Sequence, residues 1–238
     1  MGKYFKYAIG EILLVVIGIL IALSINNWNE DRKRERAESQ ALVELLGEFK
    51  KNHKDLMRVY KIKKNAEDSL RLTLEFINND SIPDYKKHSV NPRLGGNTWN
   101  TQYTVLNGLI NSGAINNIRN DSLKYLLNTW NDFVDDYLSE QTNYRNIILR
   151  NYRDYMVDKV PTHYRLADST YSSWPKAFFE SETEINKYVS KVIHTVEYQN
   201  LLKEALHYLY VQVFLMQPLI NNYHRIVAML EVEIQHSK

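Results

Sequence analysis

Residues Ile12 to Ile25 read ILLVVIGILIALSI, fourteen positions without a charge, eleven of them Ile, Leu or Val. At about −0.3 to −0.6 kcal/mol for each such residue, the run favours insertion into a bilayer by roughly 3 to 7 kcal/mol. Fourteen helical residues span only ~21 Å, short of a hydrocarbon core of ~30 Å. A helix drawn from Tyr7 to Trp28 gives ~33 Å, which fits. It sets Tyr4 and Tyr7 at one end and Trp28 at the other, as interface anchors. The reading is one transmembrane helix over residues 7–28, a short tail before it at 1–6, and a large polar remainder at 29–238.

A cleaved signal peptide is the rival reading. Lys3 and Lys6 make a basic start, and Ala22-Leu23-Ser24 offers a small-x-small site. The apolar run is long for such a leader and no helix breaker precedes the site, so the anchor is read as retained. Counting Lys and Arg alone (Arg32, Lys33, Arg34 and Arg36 against Lys3 and Lys6) would hold the large part inside. A short basic tail ahead of the first apolar run acts instead as a signal-anchor, and large domains cross largely regardless of charge. The expectation is a cytoplasmic N-terminus and an extracytoplasmic domain.

Inside the span, Glu11 is a carboxylate in a membrane helix, a functional candidate by default. It also lies near the helix start, where negative charge is favoured and the interface is within reach. Gly18 and Ala22 form a small-xxx-small pair, and Glu11 and Ile25 fall on the same stripe at heptad steps from Gly18. Such a stripe lets helices approach closely, so a homo-oligomer or another envelope protein is the expected partner, beside the lipid bilayer itself.

Beyond Trp28 the chain reads as helices. Eight Gly and five Pro in 238 residues are few turn-makers, which argues against many short strands. Apolar steps of three and four run through Leu42, Leu46, Phe49, Leu56, Tyr60, Leu70, Leu74 and Ile77, with His53, Lys63 and Glu67 in the gaps. A second stripe follows Leu123, Leu127, Trp130, Val134, Tyr137, Tyr144, Ile148 and Tyr155. A third runs from Leu202, Ala205 and Leu209 through Met216, Leu219 and Tyr223 to Ile226 and Leu230, with Pro218 expected to kink it. The expected helices cover about 30–78, 98–112, 121–157, 182–194 and 197–236. Gly113 fits the left-handed position after a helix, and Asn120 or Asp121 caps the next. The predicted fold is all-α: a transmembrane helix running into a long amphipathic one, then an antiparallel helical bundle.

The opening Tyr7-Ala8-Ile9-Gly10-Glu11 with the apolar run after it, then Asn26-Asn27-Trp28-Asn29-Glu30, resembles that of a bacterial family of small single-pass proteins known only as a domain of unknown function. A Leu-x-x-Ser-Gly-x-x-x-x-Ile-x-Asn segment is also typical of it, and is matched by Leu109, Ser112, Gly113, Ile118 and Asn120. The resemblance implies a bacterial cell-envelope protein with an uncleaved anchor and a mainly helical domain; with the orientation expected above, the anchor is placed in the inner membrane and the domain in the periplasm. It implies no catalytic residues.

Lys+Arg total 30 and Asp+Glu 28, a net charge of +2, so no electrostatic footprint for nucleic acid exists. The absence of Cys excludes disulfides, thiolate metal sites and a Cys nucleophile. No glycine-rich phosphate loop, H-E-x-x-H or G-x-S-x-G occurs. Glu204-x-x-His207 and Glu233-x-x-His236 have di-iron spacing, but both fall on the last helix, ~43 Å apart if it is straight. His207 reads as a bundle histidine. No metal, no cofactor and no enzymatic activity are expected. The leading expectation is a self-associating membrane-anchored scaffold. The alternatives are a sensor-like ligand-binding bundle acting through a partner, and an accessory subunit of ion-driven transport using Glu11.

Overall fold

In the computed structural model, the described residues are 2–79, 94–159 and 190–236, with side chains from residue 10 onward. All regular elements among them are helical. Helix α1 runs Gly2–Asn78 without interruption, so the apolar run and the amphipathic stretch are one helix. Then come α2 (Thr104–Asn111), a 3₁₀ turn (Ala114–Asn117), α3 (Asp121–Asn128), α4 (Trp130–Asn143), a π-helical segment (Tyr144–Leu149), α5 (Arg150–Lys159) and α6 (Val196–His236). The fold is all-α.

The buried seam of α1 keeps Leu42, Phe49, Leu56, Leu70, Leu74 and Ile77 of the expected stripe and takes Leu45 and Val59 where Leu46 and Tyr60 were expected. It passes through Leu42, Leu45, Phe49, Asn52, Leu56, Val59, Lys63, Ala66 and Leu70, an unbroken alternation of three and four. Leu46 and Tyr60 sit beside this seam, only half-buried. Either member of the pairs Leu45/Leu46 and Val59/Tyr60 fits the helical period, and the neighbours choose between them.

The chain divides into two compact units. The first holds residues 1–49, 103–124 and 226–238. Its interior includes Leu42, Leu45, Phe49, Leu106, Ile118 and Leu230. The Phe49 and Tyr103 rings meet at 5.2 Å. The family-like Leu109–Asn120 segment runs from the last turn of α2 through the 3₁₀ turn to the start of α3. The Ser112 hydroxyl donates to the Gly108 carbonyl at 2.7 Å. Gly113 takes φ +73°, and Ile118 plugs the interior. The Asn120 side-chain oxygen then accepts the Leu123 N–H at 3.0 Å, capping α3. Ser112, Gly113 and Asn120 thus end one helix, turn the chain and start the next, while Ile118 fills the interior between them.

The second unit holds residues 50–102 and 125–225. Its core joins Ala66, Leu70 and Leu74 of α1 to Tyr144, Ile148 and Tyr152, and to Tyr198, Leu202 and Leu209 of α6. The apolar residues read from the 121–157 and 197–236 stripes are all buried. The single helix expected over 121–157 is instead split. The Thr129 hydroxyl bonds back to the Tyr125 carbonyl at 3.0 Å, where one residue separates α3 from α4. The π-helical segment then adds width to the turn that carries Tyr144 and Ile148 inward. Helix α6 continues through Pro218. Of the helix expected over 182–194, residues 182–189 lie outside the described residues, and 190–193 are helical.

The helix expected over 98–112 begins only at Thr104. Residues 94–103 are non-helical because buried amides claim their backbone. The Gln141 carbonyl oxygen accepts the Trp99 N–H at 2.7 Å, and its NH₂ donates to the Trp99 carbonyl at 3.2 Å. Asn52 donates to the Gln102 carbonyl at 2.7 Å, and the Trp99 indole N–H reaches the Asn52 carbonyl at 3.2 Å. These side chains give an irregular buried segment the partners that a helix ladder would have supplied.

Candidate functional site

Three places concentrate chemistry. The first is the N-terminal stretch of α1. Every side chain from Gly10 to Asn29 is exposed, including eleven Ile, Leu and Val in the central run. Among the described residues this is the helix long and apolar enough to cross a membrane, and none of its apolar window is buried against the protein. Glu11, Gly18 and Ala22 share one face of it and meet no other part of the chain, and a Cβ added at Gly18 would touch nothing. Trp28 stands exposed at the far end, with the Arg32 guanidinium 5.4 Å from its ring centroid. The side chains of Tyr4 and Tyr7 lie outside the described residues.

Just past Trp28, still in the first unit, a charged cleft forms between α1, Arg119 and the end of α6. Arg119 pairs with Glu35 at 3.1 Å, an exposed pair that contributes little stability. Asn120 donates to Glu233 at 3.1 Å. Burial pushes the Glu38 carboxyl up, the nearby Arg119 opposes this, and Glu233 and Glu35 add to the rise. Also in this unit, the Glu48 carboxylate of α1 accepts the Val105 and Leu106 N–H groups at 2.8 and 3.1 Å. It thereby holds the free amides of the first turn of α2. Sequence reading missed this contact, for Glu48 carries no local cap pattern toward residues more than fifty positions away.

The second place is Lys63, in the second unit. Its side chain lies on the α1 seam, and the residue is 1% exposed. Its ammonium donates to the Gly95 carbonyl at 3.2 Å and lies 5.5 Å from the Tyr144 ring centroid. Burial drives it down from the ordinary lysine range to about 8. The Tyr144 hydroxyl donates to the Leu94 carbonyl, and burial pushes the Tyr144 phenol up. Glu67, one turn on, is also buried. Burial would raise its carboxyl, but hydrogen bonds from Arg71 and Lys64, at 2.8 and 3.0 Å, outweigh that and hold it below the usual range. The gaps in the sequence stripe at Lys63 and Glu67 are therefore buried charges.

The third place, again within the second unit, is a groove of about 780 Å³ between α1, α4 and α6. Tyr60, Phe133, Tyr210 and Phe214 supply aromatic faces. Tyr210 and Phe214 stack 6.5 Å apart at 22° and are 51% and 63% exposed. Gln217, Asn221, Asn222 and Arg225 continue the lining along α6. His207, expected inside the bundle, is exposed, as is Glu204, because both fall off the Ala205–Leu209 seam. Among the described residues, no three His, Asp or Glu side chains gather as a metal-holding group.

These features define a helical protein whose first helix carries a bare apolar stretch into a packed domain. The profile of a family of unknown function (DUF6090) matches residues 11–133, over half of the chain, and the chain belongs to that family. No curated protein and no solved structure matches it.

Proposed function

We propose that this protein is a membrane-anchored helical scaffold that associates with copies of itself in the bacterial inner membrane, with its N-terminus cytoplasmic, its domain periplasmic and no catalytic role. The observation that carries this reading is the exposed apolar stretch of α1, continuous with a helix whose later seam is fully buried. Water would not tolerate such a surface, and the hydrocarbon core matches its length. The bare Gly18 and Ala22 face supports close helix approach.

The chain has no Cys, so single substitutions can report proximity without background. In native membranes under mild oxidant, Gly18→Cys and Ala22→Cys should form disulfide-linked dimers, whereas Leu20→Cys on the opposite face should not. Equal cross-linking at all three, or none at any, would overturn self-association through this face. Release of the chain by alkaline carbonate would overturn the anchor.

A further inference from the structure

The groove of the second unit combines three features whose chemistry converges. Tyr210 and Phe214 form an exposed, nearly parallel aromatic platform one helical turn apart. Such faces attract rings that are apolar on one side. Beyond them stand the amides Gln217 and Asn221, which make no side-chain hydrogen bond to another described residue. Amides both donate and accept, which matches hydroxyl groups that do the same. Pro218 also lines the groove, and its missing N–H denies the Phe214 carbonyl its helical donor. The charged lining consists of Lys64 and Arg225 with Glu67, and Glu67 is already held by Lys64 and Arg71. This balance does not favour a cationic ligand. A lipid tail would leave the amides unmatched. At about 780 Å³ the groove has the size of ordinary ligand sites, yet it lies open along its length.

The geometry points to this groove as a saccharide-binding site, in which pyranose rings stack on Tyr210 and Phe214 while their hydroxyls bond to Gln217 and Asn221. The site stands independently of self-association through the first helix.

Calorimetric titration of the full chain in a sugar-free zwitterionic detergent tests this, with chitohexaose, cellohexaose, maltohexaose and an oligogalacturonate as probes. Saturable binding to at least one is expected, weakened roughly tenfold or more in Phe214→Ala and Tyr210→Ala. Because both rings are largely exposed, the unfolding temperature should be unchanged in these variants. Tyr125→Ala, which removes another exposed ring, should bind as the parent does. No saturable heat with any probe would overturn the proposal, as would binding that survives both ring removals intact. If the same variants disrupt association between copies and no saccharide binds, the groove docks protein and the saccharide assignment fails.

Discussion

Replacing Lys63 with Met should stabilise this protein at neutral pH and remove a rise of stability in alkali. Lys63 occupies a seam position of α1, 1% exposed, with one carbonyl acceptor and one aromatic face among the described residues. Burial lowers its pKa from 10.5 to about 8, a difference of about 2.5 units. At about 1.36 kcal/mol per unit, holding the charge inside costs the fold about 3 kcal/mol. Below pH 8 both folded and unfolded chains carry the proton, so the full cost is present. Between 8 and 10.5 the folded chain has released it and the unfolded chain has not, so stability climbs with pH. Above 10.5 the penalty is gone. The polar groups around it do not remove this cost: Glu67 is committed to Lys64 and Arg71, and the neutral Tyr144 hydroxyl to Leu94. Met keeps the unbranched stem and forfeits the bond to Gly95, worth about 1 kcal/mol, which leaves a net gain of about 2 kcal/mol at pH 7. Urea unfolding of parent and Lys63→Met in the same detergent, from pH 7 to 11, measures the difference directly. Titrations shared by both chains cancel in it. The gap should be near 2 kcal/mol in favour of Met at pH 7 and should close, then reverse slightly, by pH 10.5. A variant less stable than its parent at pH 7, or a gap that ignores pH, would refute the reasoning.

The two glycines with positive φ should respond unequally to Ala. Gly113→Ala meets nothing within 4 Å and should cost only the left-handed strain, about 1 kcal/mol by thermal unfolding. Gly95→Ala adds the same strain at φ +61° and puts a Cβ 2.9 Å from that of Ala66 and 3.3 Å from Leu209, so it should lower the unfolding temperature distinctly further. Glu48→Ala removes a carboxylate that accepts two N–H groups of α2, and should destabilise by roughly 1.5 to 3 kcal/mol. Amide hydrogen exchange at Val105 and Leu106 should speed up first, and unchanged protection there would contradict the capping role.

Much of the helical framework is visible along the chain because burial repeats with the helical period. Tyr198 to Leu230 on α6 and Leu123 to Tyr155 show an apolar side chain at nearly every inward step, and where one is missing a buried amide, Gln212 or Gln141, stands in. The turn after α2 is likewise readable, since Ser112, Gly113 and Asn120 act on backbone within a few residues of themselves. The candidate groove was not, because its aromatic faces come from residues as far apart as Tyr60, Phe133 and Phe214.

The apolar run of α1, the all-α class and the capped turns follow from the chain alone, for each depends on properties of neighbouring residues: hydropathy, helical period and local hydrogen bonding. The choice of Leu45 over Leu46 and of Val59 over Tyr60 on the α1 seam, the non-helical course of 94–103 and the buried charge at Lys63 needed the tertiary structure. Leu45 and Leu46 have the same local preference, and only the packed neighbours decide which turns inward. Residues 94–103 abandon the helix because Asn52 and Gln141, distant in sequence, offer their backbone better partners. Long-range contacts of this kind are absent from any local stretch of sequence, and they outweigh the small energies of local propensity.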